Sequence, residues 1–78
     1  MNTWYVVHFI SKLTGQYRGC SVFTDAEPTT PMNQKTFSGN ASFSSHEDAV
    51  KYIRTSLEYQ WVRNLCRELP DRPGCWVT

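Results

Sequence analysis

The chain has 78 residues, of which 40% are hydrophobic and 14% aromatic, and its formal net charge at pH 7 is +1. A chain of this length folds as one small domain with little room for an enclosed active-site cavity beside its core. The near-neutral charge argues against the concentrated basic footprint of nucleic-acid-binding domains. Because no apolar run approaches the roughly 20 residues that span a membrane, we predict one cytoplasmic domain over residues 1–78.

The first half of the chain predicts three β-strands. Residues 3–10 (TWYVVHFI) are mostly β-branched or aromatic and are apolar on both faces, which is typical of a central strand. A short turn connects them to a second strand at residues 17–24, in which Gly19 indicates a bulge or a close backbone approach. A polar loop at residues 25–34 then leads to a third, alternating strand at residues 35–43.

Residues 44–69 predict a helix that packs across the inner face of this sheet. Ser44 and Glu47 have the S-x-x-E spacing of a capping box at its start. The proline that follows residue 69 ends it, because the residue before a proline is disfavoured in the α region. On the third strand, Gly39 and Ala41 leave space for a helix to lie across that face.

The apolar residues of this helix form two faces, rotated from each other by roughly a third of a turn. Either the helix kinks or breaks near residues 56–60, or the apolar faces of its two halves are buried against different surfaces. In one interpretation the first half packs on the sheet and the second on the C-terminal tail; in the other, the second half is a docking surface. The first face comprises Ala49, Val50, Ile53 and Leu57, and the second comprises Trp61, Val62, Leu65, Cys66 and Leu69.

Together these segments predict an α+β fold of one layer of sheet and one of helix. The sheet is antiparallel with three or four strands in the order β-β-β-α, and residues 75–77 either form a short fourth strand at an edge or cover the end of the core. One long helix, continuous, kinked or broken, packs on one face of it.

The sequence contains no pattern for catalysis, a metal or a cofactor. Its cysteines and histidines are scattered, without the paired spacing of structural zinc sites, and no motif places a histidine base beside a cysteine nucleophile. An odd number of cysteines argues against a secreted disulfide framework, although a Cys66–Cys75 pair remains open under oxidising conditions. We therefore predict a non-enzymatic protein with no metal and no cofactor. The residues considered are His8, Cys20, His46, Cys66 and Cys75.

Exposed aromatic residues and arginines are the candidates for a partner-binding surface, because Tyr, Trp and Arg dominate interface hot spots. Tyr52 and Tyr59 fall on neither apolar face of the predicted helix, so we expect both to be at least half exposed. The alternative for each tyrosine is a ring that lies flat on the surface with its hydroxyl in water. The candidate partner-binding residues are Trp4, Tyr52, Arg54, Tyr59, Arg63 and Arg67.

In its length, in its order of three strands before a helix and in its lack of catalytic residues, the chain resembles small phage-encoded inhibitors, among them anti-CRISPR proteins. The resemblance implies a compact α+β protein that blocks a host defence complex by occupying a surface on it. Its partner would be a larger protein or ribonucleoprotein assembly in the host cytoplasm. A homodimer is compatible with the sequence, whereas direct binding to nucleic acid or to a membrane is not expected.

A second hypothesis is a small nucleic-acid-binding module that uses an aromatic sheet face. In that case Trp4, Val6 and His8, together with Arg18, would form a platform on which bases stack. Stacking contributes about 1–3 kcal/mol per base, so such a platform does not need a high net charge.

Overall fold

A computed structural model describes residues 2–24 and 28–78. Its five strands form one antiparallel sheet with the spatial order β3-β1-β2-β5-β4. The strands are β1 (Trp4–Ser11), β2 (Tyr17–Phe23), β3 (Gln34–Phe43), β4 (Arg67–Glu68) and β5 (Trp76–Val77). The helical elements are α1 (His46–Thr55), a 3-10 turn (Leu57–Tyr59) and α2 (Gln60–Leu65).

The predicted fold is wrong in its number of strands and in its helix. The described part of the chain has five strands rather than three or four, and two short helices rather than one long one. α1 ends where Ser56 turns to an extended conformation, with φ −80° and ψ 149°. α2 ends at Cys66, which is also extended, so the chain enters β4 where the sequence predicted helix up to Leu69. The two-helix arrangement allows Val62 to reach the core, where it is fully buried.

The start of α1 differs from the predicted capping box by one residue. Ser45 is extended, and its hydroxyl oxygen accepts a hydrogen bond from the backbone N–H of Asp48 at 3.1 Å. Ser44 instead donates its hydroxyl to the Asp48 carboxylate at 3.5 Å. Because Ser44 and Glu47 have the same spacing as Ser45 and Asp48, both serines satisfy the capping pattern and only the backbone conformation distinguishes them.

β1 is an interior strand, as its apolar character on both faces predicted. It pairs with β2 on one side and with β3 on the other. Val6 and His8 lie on the face that the helices cover and are buried, and Val7, on the opposite face, is fully buried as well. The described core between the sheet and the helices consists of Val6, Cys20, Val22, Ala49, Val50, Ile53, Tyr59, Val62, Cys66 and Trp76.

The predicted loop between the second and third strands connects opposite ends of β1. Phe23 lies opposite Tyr5, whereas Gln34 lies opposite Ser11, so the chain travels the length of β1 between the two flanking strands. Residues 25–27 of that loop lie outside the described part. Near its end, the loop is attached to the β1–β2 turn by a backbone hydrogen bond of 2.8 Å from Lys12 to Asn33.

Gly19 lies where β2 meets β5. The register between β1 and β2 shifts beside it, between Phe9 and Ile10, which confirms the predicted irregularity. Gly19 has a φ of +126°, and a Cβ atom added there would collide with the backbone carbonyl oxygen of Trp76. Only glycine fits this combination of conformation and close approach, so the close approach is confirmed as well.

Candidate functional site

The expectation that Tyr52 and Tyr59 are at least half exposed is wrong. Tyr59 is buried, its ring stacks on His8 with centroids 5.8 Å apart, and burial raises the pKa of its hydroxyl to about 12. A Cβ atom added to Gly39 would lie 3.2 Å from that hydroxyl oxygen, so the 3-10 turn occupies the space that Gly39 leaves. Tyr52 is partly buried beside Tyr59, and its hydroxyl donates to Glu58.

Arg54, another predicted partner-binding residue, is held by the protein itself. Its Nε lies 2.8 Å from Glu68 Oε1, and its Nη2 lies 2.8 Å from Oε2. The backbone N–H of Gly74 also donates to Oε2 at 2.8 Å. Partial burial raises the pKa of Glu68, but the hydrogen bonds from Arg54 and Gly74 outweigh it and lower the pKa overall. Arg54 therefore connects α1 to β4 and to the tail.

The three remaining predicted partner-binding residues differ in their exposure and their contacts. Arg63 is partly buried, and its Nη1 donates to the carbonyl oxygen of Ile53 at 2.5 Å. Trp4 is also partly buried and packs edge-on against His46, with centroids 5.1 Å apart. Arg67 is exposed on β4. The structure thus brings Tyr52 and Tyr59 into contact and places Arg63 on the backbone next to Arg54, and it leaves few of the six side chains fully available.

A different set of residues forms the exposed apolar surface of the helical layer. Leu57 is 85% exposed, Trp61 43% and Leu65 61%, and we call these three residues the helix patch. They follow one another at intervals of four along the 3-10 turn and α2, a spacing that brings helical side chains together. The four-residue spacing is visible in the sequence. The sequence predicted, however, that Leu57 faces the sheet. Leu57 faces solvent instead, because it follows the break in the helix at Ser56.

Trp61 is the anchored member of the helix patch. Its ring lies 4.8 Å from that of Tyr17 and 5.8 Å from that of His8, measured between centroids. Phe37, which is 45% exposed, stacks on the same histidine at 4.7 Å. The indole is therefore supported on one side by core aromatics while its other side remains open to solvent.

His8 and its neighbours belong to the core. The histidine is 3% exposed, its Nδ1 lies 2.7 Å from the hydroxyl oxygen of Tyr17, and burial lowers its pKa. Burial also raises the pKa of the Cys20 thiol to about 12, which keeps it protonated and weakly nucleophilic. The stacking platform expected from Trp4, Val6 and His8 is wrong, because the helical layer covers Val6 and His8.

The charged residues beside the helix patch are engaged within the protein. Between residues 57 and 65, the only charged side chains are Glu58 and Arg63. Glu58 accepts the Tyr52 hydroxyl, and Arg63 donates to a backbone carbonyl. The three residues of the patch are apolar, and the two charged side chains nearest to them in sequence each make a hydrogen bond within the protein.

Among residues 2–24 and 28–78, no group of three or more His, Cys, Asp or Glu side chains is placed to hold a metal ion. No helix in these same ranges has the length and apolar character needed to cross a membrane. Cys66 and Cys75 are free thiols in the structure.

No protein-family model, no curated protein and no solved structure matches this chain. Its function is therefore inferred from its own surface, where the helix patch is the clearest candidate for a binding site.

Proposed function

We propose that this protein is a non-catalytic protein-binding domain whose helix patch docks into an apolar groove of a partner protein. The observation that carries the proposal is the exposure of Leu57, Trp61 and Leu65 together on so small a domain. Contiguous exposed apolar side chains on a soluble domain are typical of an interaction site. Apolar anchors at four-residue intervals along a helical segment are the pattern of helix-in-groove recognition.

The partner is a protein surface of low charge. Arg63, the single cation among residues 57–65, is partly buried and donates to a backbone carbonyl, so this segment holds no cluster of cations for a phosphate backbone or an anionic membrane. Binding would instead be driven by removing apolar surface from water, which contributes about 25 cal/mol per Å². We therefore expect the affinity for the partner to depend weakly on salt concentration.

Trp61 is the central contact of the proposed interface. It lies between the two leucines, and Tyr17 and His8 already support its ring. A supported side chain loses less conformational freedom on binding, and tryptophan is the residue type most enriched among interface hot spots. The leucines on either side would exclude water around it.

The narrower hypothesis concerns the identity of the partner. The length and the layout of three strands before helical elements resemble phage-encoded inhibitors, and this resemblance supports a role in blocking a host defence complex. The direct test is expression of the protein in a bacterium whose CRISPR-type defence restricts a phage. Restored phage growth supports the narrower hypothesis, and unchanged restriction contradicts it for that defence system.

Protein binding itself is tested by capture from host lysate followed by titration of the purified partner. We expect Trp61→Ala to weaken binding at least tenfold, which corresponds to about 1.4 kcal/mol, and Leu65→Ser to weaken it as well. Leu13→Ala is the matched control, because Leu13 is 86% exposed in the β1–β2 turn, outside the patch.

The leucine variant is needed because Trp61 also contacts Tyr17 and His8, so its loss can destabilise the fold. Thermal unfolding of each variant separates the two effects. If folded Trp61→Ala and Leu65→Ser both bind the partner as tightly as the unchanged protein, the helix patch is not the binding surface.

A further inference from the structure

His8 is a buried titratable residue that lies beneath the helix patch. It is 3% exposed, and its ring stacks on those of Tyr59 and Trp61, each with centroids 5.8 Å apart. Its Nδ1 lies 2.7 Å from the hydroxyl oxygen of Tyr17, whose own ring contacts that of Trp61 edge-on at 4.8 Å. The two residues that support the anchor of the helix patch are therefore joined to each other by a hydrogen bond.

The titratable groups packed on His8 suit a neutral imidazole. Cys20 lies opposite it on β2, and burial raises the pKa values of Cys20 and Tyr59 to about 12. Burial raises the pKa of Tyr17 as well. All three groups therefore stay uncharged near neutral pH, so none supplies an anion that would balance a protonated histidine. In keeping with this, burial lowers the pKa of His8.

The charged side chains on the elements that contact His8 do not compensate a proton there either. These elements are β2, β3, the 3-10 turn and α2. In the helical layer, Glu58 and Arg63 each make a hydrogen bond elsewhere in the protein. On the sheet, Arg18 of β2 and Lys35 of β3 are exposed cations, which oppose a further positive charge nearby. A proton on the buried ring is therefore costly unless His8 gains access to water.

Trp61 is the covering side chain whose movement would open His8 to water at the least cost. It is already 43% exposed, whereas Tyr59 is 4% exposed. Phe37 is 45% exposed, but it lies on β3, directly opposite His8 in the ladder with β1. Trp61 instead lies in the six-residue α2, and the next residue, Val62, is fully buried. Rotation of the indole toward solvent would admit water to His8 while Val62 keeps α2 on the core.

We propose that protonation of His8 releases the Trp61 indole from the sheet, so that the helix patch binds its partner tightly near neutral pH and weakly in mild acid. The effect on binding rests on the proposed protein-binding function, whereas the release of Trp61 needs no partner. After release, Leu57 and Leu65 remain exposed, but the central side chain has lost the rings that hold it. The indole must then be ordered again on binding, which lowers the affinity.

Protonation and partner binding are also linked through the exclusion of water. A partner seated on Trp61 would bury His8 more deeply and so oppose its protonation. Because the coupling between two ligands at different sites is reciprocal, protonation lowers the affinity for the partner by the same factor. If the complex excludes the proton fully, the affinity falls about tenfold for each pH unit below the pKa of His8 in the free protein.

Titration of the histidine ring protons, followed by nuclear magnetic resonance, tests the link between His8 and Trp61 without a partner. In the unchanged protein we expect the pKa of His8 to lie below its ordinary 6.5, and in Trp61→Ala to rise toward that value because water then reaches the ring. Leu65→Ser is the matched control, since it removes another member of the helix patch and should leave the pKa of His8 unchanged. His46, which contacts Trp4, should titrate alike in all three proteins.

Quenching of tryptophan fluorescence by acrylamide measures the release of Trp61 itself. Trp4→Phe serves as the background, because the contact of Trp4 with His46 would add a second pH-dependent signal. In this protein the quenching should increase as the pH falls from about 7.5 to about 5, while circular dichroism shows that the chain stays folded. Adding His8→Gln should abolish the increase, and Trp76, which is 8% exposed, gives a constant background. The magnetic resonance titration keeps His8, so it decides the proposal even if His8→Gln fails to fold.

Affinity for the purified partner, measured at about pH 7.5 and about pH 5, tests the effect on binding. We expect the affinity of the unchanged protein to fall several-fold in acid and that of folded His8→Gln to stay constant. Three results would overturn the proposal: a pKa of His8 that is the same in folded Trp61→Ala, quenching that does not change with pH, or an affinity that does not fall in acid or falls equally in folded His8→Gln. If no partner binds through Trp61 even near neutral pH, the proposed function fails, whereas the first two measurements still decide the release of Trp61, so the two failures are distinguishable.

Discussion

Arg54 and Glu68 form a bidentate ion pair that joins the first helix to a two-residue strand at the far edge of the sheet. The pair connects residues 14 positions apart, and Gly74 adds a backbone N–H to the same carboxylate. Arg54 is half exposed whereas the Glu68 side chain is 18% exposed. Loss of the Glu68 carboxylate should therefore lower the stability of the fold more than loss of Arg54, because the carboxylate accepts hydrogen bonds from both Arg54 and Gly74.

The first prediction concerns how the stabilisation by Glu68 changes as the pH falls. Because the folded protein lowers the pKa of Glu68 below its ordinary value of 4.5, the ionised carboxylate stabilises the fold above that value. We expect Glu68→Gln to reduce the free energy of unfolding at neutral pH. This difference between variant and unchanged protein should shrink as the pH falls below 4.5, which urea unfolding at several pH values measures. A difference that is the same at pH 7 and in acid would contradict the ion-pair explanation.

The second prediction concerns how protonation of His8 makes the stability of the fold depend on pH near neutrality. Burial lowers the pKa of His8 below its ordinary 6.5, so the unfolded chain takes up a proton before the folded one does as the pH falls. The stabilisation that comes from this difference in pKa is fully present above pH 6.5. It is lost as the pH falls toward the lower pKa that His8 has in the folded protein. The hydroxyls of Tyr17 and Tyr59 and the thiol of Cys20 stay neutral in this range, because burial raises the pKa of each.

Urea unfolding from about pH 5.5 to about pH 7.5 measures this slope. His8→Gln cannot titrate in the range and should give a flatter profile, although its stability should be lower throughout because stacking with Phe37 and Tyr59 is lost. If the variant keeps the full slope of the unchanged protein, the proton is taken up elsewhere.

The third prediction concerns Gly19. An alanine there would need a left-handed φ of +126° and would place its Cβ against the Trp76 carbonyl, so β5 would have to move away from β2. We expect Gly19→Ala to lower the free energy of unfolding by about 2–3 kcal/mol. Gly15→Ala is the matched control, because Gly15 has a φ of +72° and open space around it, and its cost should be about 1 kcal/mol. Equal losses in the two variants would show that the contact with Trp76 is unimportant.

The fourth prediction identifies the capping residue of α1. Ser45 accepts the Asp48 N–H, so Ser45→Ala should cost about 1 kcal/mol of stability. Ser44→Ala should cost less than half of that, because the Ser44 hydroxyl contacts only a carboxylate at 3.5 Å on the surface. Thermal unfolding of the two variants decides between them, and the reverse order of stability would place the cap at Ser44.

Much of the sheet was predictable because its information is local. The apolar run of β1 and the alternating apolar residues of β3 each reflect a constraint within a few residues along the chain. β4 carries no such signal, since a strand of two residues, Arg67–Glu68, is too short to show a period. β4 forms because β5 pairs with it, and no pattern near residues 67–68 of the sequence indicates that pairing.

The helical region shows why the candidate site was harder to predict. On an uninterrupted helix Tyr59 belongs to neither apolar face, but after the break at Ser56 it lies in a 3-10 turn that directs its ring onto His8. The same break exposes Leu57, which a straight helix would have placed on the sheet side. The four-residue spacing near residues 56–60 indicated an interruption, yet the direction of the chain after it depends on contacts with distant strands.

The position of Trp76–Val77 in the sheet has a consequence for folding during synthesis. β5 is made after the other four strands of this sheet, yet it lies between β2 and β4 and contributes Trp76 to the core. While the ribosome still holds these residues, β2 has an open edge and β4 has no route into the sheet. The five-stranded domain therefore completes its fold only after residue 77 has emerged, and a nascent chain stalled earlier would present exposed core to chaperones and proteases.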